Sequence, residues 1–198
     1  FLFAMCSATD TLDIALAAAG MDIIPAPIDG TPMTPGFQSK LDFSRTLAFH
    51  NFTLSTNAYE YEHSNIDINP PDSLTPTGEF FTLFDFSAKI DSVPCMLVQC
   101  HTSRVNEFRG QNTAFHRSTV KDSVVVLAEG PGKGVVKYIH GNRGQGTFTF
   151  LGGHDPEDYA HLVGEEPTEL SLFKNSPGYR LILNNILFPA AKKRERRT

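Results

Sequence analysis

Basic charge is in short supply. Seventeen Lys and Arg stand against 22 Asp and Glu, leaving a net charge of −5 over 198 residues. A nucleic-acid binder needs the opposite balance to displace counterions from phosphates, so nucleic acid is excluded as the expected partner. Cysteine is scarce as well: three thiols cannot all pair, and they are too few for a disulfide scaffold. No apolar run approaches the roughly 18 residues needed to cross a bilayer, so no membrane span is expected. The chain has no internal repeat and no low-complexity tract. Apolar residues at 40% and charged residues at 20% are the balance of a folded core.

What is present begins abruptly. The chain opens on Phe1, inside the apolar run Phe1-Leu2-Phe3-Ala4-Met5, with no polar lead-in. It reads as the C-terminal portion (residues 1–198) of one domain of a longer protein, whose missing N-terminal segment would then be a partner of this one. The run itself has the pattern of a strand buried on both faces. A helix follows Cys6-Ser7-Ala8, with Leu12, Ala15, Leu16 and Ala19 on one stripe, Ser7 and Asp10 spaced as a capping box, and Gly20 as its terminator. Met21-Asp22-Ile23-Ile24 reads as a second strand stopped by Pro25. Strand, helix and strand make a βαβ unit, and βαβ units imply a parallel sheet.

Residues 25–120 differ in character and read as a loop- and strand-rich insertion or sheet edge, with strand signals at Thr46–Ser55, Glu79–Ile90 and Val93–Gln99. Regular patterning returns at Ser123–Ala128, a buried strand. Val135–His140 and Thr147–Leu151 flank a glycine-punctuated turn and predict a hairpin. Ser176-Pro177 predicts the start of a helix carrying Tyr179, Ile182, Leu183, Ile186 and Leu187 and ending before Pro189. Residues 192–198 form a basic tail.

Chemistry concentrates at two points. Cys6 stands between strand and helix with Ala4 and Ala8 two residues to either side, the small–x–nucleophile–x–small pattern of a nucleophile elbow. Bulk at those flanks would collide with neighbouring chain. A helix N-terminus favours thiolate over thiol, and the backbone N–H of Ser7 is placed to stabilise an oxyanion. The plainer alternative is a buried cysteine packing as a small hydrophobe. His154 leaves the end of a strand beside two glycines, where it could act as base, with Asp155 or Glu157 orienting its ring. A surface turn is the alternative there. His154, Asp155, Asp158 and His161 also offer metal-ligand atoms, but their spacing matches no zinc signature. Gly130–Gly134 lacks the P-loop spacing and reads as a turn. Cys95 and Cys100, an odd offset apart, are not expected to bond. Asn51-Phe52-Thr53 is a glycosylation sequon whose meaning depends on a eukaryotic secreted context.

The run GQGTFTFLGGHDPEDY and, later, NSPGYRLILNNILFPAAKKR resemble the C-terminal part of the trehalose-utilisation-like proteins, a group within the class I glutamine amidotransferase-like superfamily. Together with FLFAMCSATDTLDIALAA they are similar to a bacterial family often labelled "asparagine synthetase B". The resemblance covers both ends of the chain and the middle only loosely. It implies a flavodoxin-like α/β fold, a parallel sheet with flanking helices, preceded in the family by a further segment and commonly by a signal peptide. The chain itself assigns no localisation. The resemblance further implies a glutaminase or amidohydrolase in which Cys6 is nucleophile and His154 base, acting on a small-molecule amide without a cofactor or metal. The superfamily's carboxylate lies two residues beyond the histidine, where this chain has Pro156, with Asp155 and Glu157 flanking it. A rival expectation is a non-catalytic, carbohydrate-handling domain in which Tyr159, His154 and Arg143 hold a sugar and Cys6 is structural. Nothing in the sequence marks the nucleotide site of a true asparagine synthetase.

Overall fold

In the computed structural model, residues 1–59, 64–68, 80–84, 95–106, 114–154, 156 and 166–191 are described. The strands are β1 (Leu2–Met5), β2 (Phe80–Leu83), β3 (Arg104–Asn106), β4 (Phe115–His116), β5 (Val125–Glu129), β6 (Val135–Arg143) and β7 (Gly146–Leu151). The helices are α1 (Ala8–Ala17), the single turn α2 (Ala26–Asp29) and α3 (Pro177–Leu187). The strands form one curled sheet in the order β1-β7-β6-β5-β2-β3, with β4 paired to β6.

This corrects the expected fold class. Among the described strands only β1 and β7 run parallel; β6–β7, β5–β6, β2–β5, β2–β3 and β4–β6 are all antiparallel. The sheet is mixed and helices are few, so the fold is not a flavodoxin-like parallel sheet with flanking helices. The βαβ unit fails at its second strand. Asp22 holds Met21–Ile24 as loop: its carboxylate accepts from the amide of Ile24 (3.0 Å) and the hydroxyl of Thr31 (2.8 Å), and its backbone exchanges bonds with Thr34 (2.9 and 2.8 Å). A short polar side chain that bonds its own neighbourhood competes with a strand ladder, and Pro25 then ends any extension. The Thr46–Ser55 strand signal yields only isolated bridges, Phe49 to Val120 and Leu54 to Ser64. Of Val93–Gln99 the described residues give a 3₁₀ turn at Cys95–Leu97, and β2 realises part of the Glu79–Ile90 signal; residues 79, 85–90 and 93–94 lie outside the described residues.

The β6–β7 hairpin closes on the two residues Gly144-Gln145, with Arg143 opposite Gly146. Within it Gly141 faces Phe148, and a side chain at Gly141 would occupy the space of the Phe148 ring. β5 meets β6 with a shifted register around Leu127 and Lys137, so the pairing carries bulges at both.

Each sheet face has its own core. On one, Ala4, Ile139, Phe148 and Phe150 pack with Ile14, Ala17 and Ala18 of α1 and with Leu41, Phe49 and Phe52 of the loop that follows. On the other, Tyr138, Leu127, Phe81 and Leu151 pack with Leu181 of α3. Both helices bury a different stripe from the one their apolar residues mark out. α1 buries Thr9, Asp10, Asp13, Ile14 and Ala17. Asp13 explains the rotation: its carboxylate accepts the backbone N–H groups of Leu47 (2.7 Å), Ala48 (2.7 Å) and Phe49 (2.8 Å). Burial pushes this carboxyl above its ordinary value, while the three amides and the Lys121 charge pull it down. Lys121 adds a second fastening, donating to the carbonyls of Phe43 (2.9 Å) and Thr46 (2.5 Å).

α3 starts as expected, with Ser176 accepting from the amide of Tyr179 at 3.2 Å and Pro177 in its first turn. It turns Gly178, Leu181 and Asn185 inward and leaves Leu183, Ile186 and Leu187 exposed. Asn185 donates to the Tyr138 hydroxyl at 2.8 Å and to the carbonyl of Leu181 at 2.9 Å. Phe1 and Leu2 of the first strand region are also exposed, whereas Ala17 and Ala18 at the end of α1 are not.

Asp13→Asn offers one oxygen where three amides need acceptors, and is expected to lower unfolding free energy by about 2–3 kcal/mol, read from urea titration; a loss under about 0.5 kcal/mol would remove the clamp's importance. Gly141→Ala is expected to cost about 1–3 kcal/mol in the same assay, because Phe148 must leave its rotamer or the strands must part.

Candidate functional site

The parallel pair decides what sits next to what. Met5 lies opposite Leu151, and both strands run in one direction, so β1 and β7 deliver their next residues to the same end of the sheet. Beyond β1 comes Cys6; beyond β7 come Gly152, Gly153 and His154.

Cys6 is half-buried and adopts φ +56, one of two non-glycine residues with positive φ among those described. For a residue with a Cβ this conformation costs roughly 1–2 kcal/mol and must be held by its surroundings. Three bonds hold it. Its N–H donates to Leu151 O at 3.1 Å, and its carbonyl accepts from both the N–H (3.1 Å) and the hydroxyl (2.7 Å) of Thr9. The reversal turns the chain straight from β1 into α1. Ser7 is already in helical conformation and its side chain makes no capping bond, so the Ser7–Asp10 capping box does not form. The Ser7 amide enters the first turn of α1, where helix geometry leaves N–H groups without intrahelical acceptors.

On the neighbouring strand, Gly152 is fixed by its N–H to the carbonyl of Lys137 at 2.9 Å. Gly153 then takes φ +76, and this left-handed residue redirects the chain so that His154 emerges exposed. His154 is three residues past the carbonyl that bonds Cys6, which places its Cα within about 11 Å of Leu151. Cysteine and histidine thus leave adjacent parallel strands on the same side. Pro156 is buried; Asp155 and Glu157 lie outside the described residues.

No protein-family model, curated protein or solved structure matches this chain.

The remaining expected site residues divide by position. Tyr159, Asp158 and His161 lie outside the described residues. Arg143 does not join His154: it stands at the turn end of the hairpin, and the six residues of β7 separate the two by roughly 17 Å. Its guanidinium instead donates to Ser44 O at 3.2 Å. Gly130–Gly134 is the connection between β5 and β6, as its spacing suggests. Cys100 is a free thiol whose sulfur lies 3.6 Å from the carbonyl of Pro177.

Two residues near the site escaped sequence reasoning. Thr9, fully buried, fastens the Cys6 carbonyl, and its place between Ser7 and Asp10 at the start of α1 carries no local signal of that role. Lys137, 1% exposed, occupies the β6 bulge beside Gly152, its ammonium 6.0 Å from the centre of the Phe81 ring. A lysine flanked on both sides by apolar strand residues, Val136 and Tyr138, was the available signal.

If Cys6 is held in a strained conformation, glycine should suit the position better than alanine. Cys6→Gly is expected to be more stable than Cys6→Ala by about 1 kcal/mol, measured by chemical denaturation of both variants.

Proposed function

We propose that this chain carries a cysteine-dependent amidohydrolase or glutaminase-like site, with Cys6 as nucleophile and His154 as base. The observation that supports it most is the parallel register of β1 and β7, which sends a strained strand–helix cysteine and a strand-end histidine off the same end of the sheet. The reading stands on those residues and on the resemblance of the end motifs; the parallel α/β fold once expected plays no part in it.

The chemistry follows from the groups. The partial positive charge at the start of α1 favours the thiolate of Cys6. The thiolate attacks the carbonyl carbon of a small-molecule amide, and the oxyanion is met by the amide of Ser7. His154, protonated, gives its proton to the leaving nitrogen as the C–N bond breaks, releasing ammonia or an amine. Water, deprotonated by His154, then attacks the thioester, freeing the acid and returning the thiol. Asp155 and Glu157, flanking Pro156, are the candidates to orient the imidazole. The carbohydrate alternative loses support because Arg143 and His154 stand at opposite ends of β7.

The free thiol of Cys100 gives an internal reference. At pH 7, iodoacetamide is expected to label Cys6 at least tenfold faster than Cys100, located by peptide mass spectrometry, and His154→Ala is expected to remove most of that excess. Equal labelling of the two thiols in the unsubstituted protein would sink the nucleophile.

A further inference from the structure

His140 lies in the middle of β6, opposite Thr149 of β7 and Val125 of β5. It is 4% exposed, and its Nδ1 is 2.9 Å from the Thr149 hydroxyl. Its ring meets that of Phe188 edge-on at 5.8 Å between centroids, and Phe188 meets Phe1 at 5.2 Å. Phe188 opens the 3₁₀ turn Phe188–Ala190 that continues from α3. The segment after α3 is therefore fastened to the sheet through aromatic rings, one of which can take up a proton.

The charges around this ring would not welcome that proton. β1 and β7 carry no ionisable side chain, and neither does the Phe188–Ala190 turn. On β5 the one acid is Glu129, at the opposite end of the strand pairing and opposite Val136. On β6 the ionisable neighbours are the cationic Lys137 and Arg143 and the phenol of Tyr138, which burial holds neutral. α3 contributes Tyr179 and Arg180, in its first turn and far from Phe188. Among the described residues, no carboxylate stands against the imidazole. Burial accordingly pushes His140 down to about 4.

We propose that His140 is an acid-sensitive latch: neutral, it keeps Phe188 and the turn after α3 on the sheet, and protonated, it releases them while the sheet stays folded. This proposal is independent of the Cys6 chemistry. An imidazolium needs water, and water can reach it at two costs. Opening β6 would break ladders on both sides of a central strand. Lifting Phe188–Ala190 exposes one half-buried ring and a short turn whose Pro189 and Ala190 are already exposed. The second is cheaper, so the response is local. The direction follows from linkage. The folded ring binds its proton more weakly than a free histidine near 6.5, so the closed state is fully held above that value. It is progressively lost as pH falls from there towards about 4.

The chain contains no tryptophan, so Phe188→Trp installs a single fluorescent reporter at the latch. Its emission is expected to shift red on acidification, with a midpoint between pH 6.5 and 4, before far-ultraviolet circular dichroism changes. In Phe188→Trp combined with His140→Gln the emission should stay constant over that window. A red shift that coincides with loss of the dichroism signal, or one that survives His140→Gln, overturns the proposal. Should either variant fail to fold, NMR of the unsubstituted protein decides. The His140 ring should titrate well below 6.5, and the Phe188 ring resonances should move with it; Phe188 resonances that stay fixed through that titration overturn the latch.

Discussion

A single carboxylate organises one whole face of the sheet. Asp13 projects from α1 and takes up three consecutive backbone N–H groups, those of Leu47, Ala48 and Phe49. The segment carrying these amides has no strand ladder of its own, so its polar backbone needs another acceptor wherever it is buried. Once fastened, it lays Phe49 and Phe52 against Phe115, Phe148 and Phe150. Lys121 secures the same loop from the sheet side through the carbonyls of Phe43 and Thr46. The orientation of α1, and with it the direction of the first helical turn behind Cys6, depends on this fastening.

The opposite face repeats the device in neutral form. Asn185 of α3 meets the hydroxyl of Tyr138, which also donates to Leu97 O at 3.1 Å. Two helices thus approach one sheet from either side, each turning a polar side chain inward where apolar periodicity would have placed Leu or Ile. A hydrophobic stripe marks the inner face of a helix only when the core offers nothing polar to bind. Here a loop of unpaired amides and a buried phenol do. That is why Leu183, Ile186 and Leu187 are exposed although they are among the apolar residues of the helix.

Local signals were legible in the residues, and long-range ones were not. The run into Cys6, the helix after it, the β6–β7 hairpin and the Ser176 cap all depend on neighbours within a few positions, and each was readable. The direction of the sheet was not. β1 takes its parallel partner from β7, near the other end of the chain, and no local pattern specifies that choice. Met21–Ile24 looked like the nearer partner until Asp22 and Thr34 bound each other instead. For the site, Cys6 and His154 could each be picked from strand-end context. That they leave the same end of two paired strands, and that Thr9 fastens the Cys6 carbonyl, depend on a register and a backbone conformation that composition does not carry.

The β1–β7 pairing also bears on how the molecule forms. β1 is four residues long, and its ladder partner emerges only after residue 145. Closing so large a loop is entropically slow, and among the described residues the next strand after β1 is β2 at Phe80. The hairpin of β6 and β7, built from near neighbours, can form early and present a finished edge. The strand that begins the chain would then dock among the last events, leaving its apolar residues uncovered in the meantime. In such an order the corner where Cys6 and His154 leave the sheet is absent from every earlier intermediate. Cys6 acquires its left-handed backbone only when β1 docks on β7.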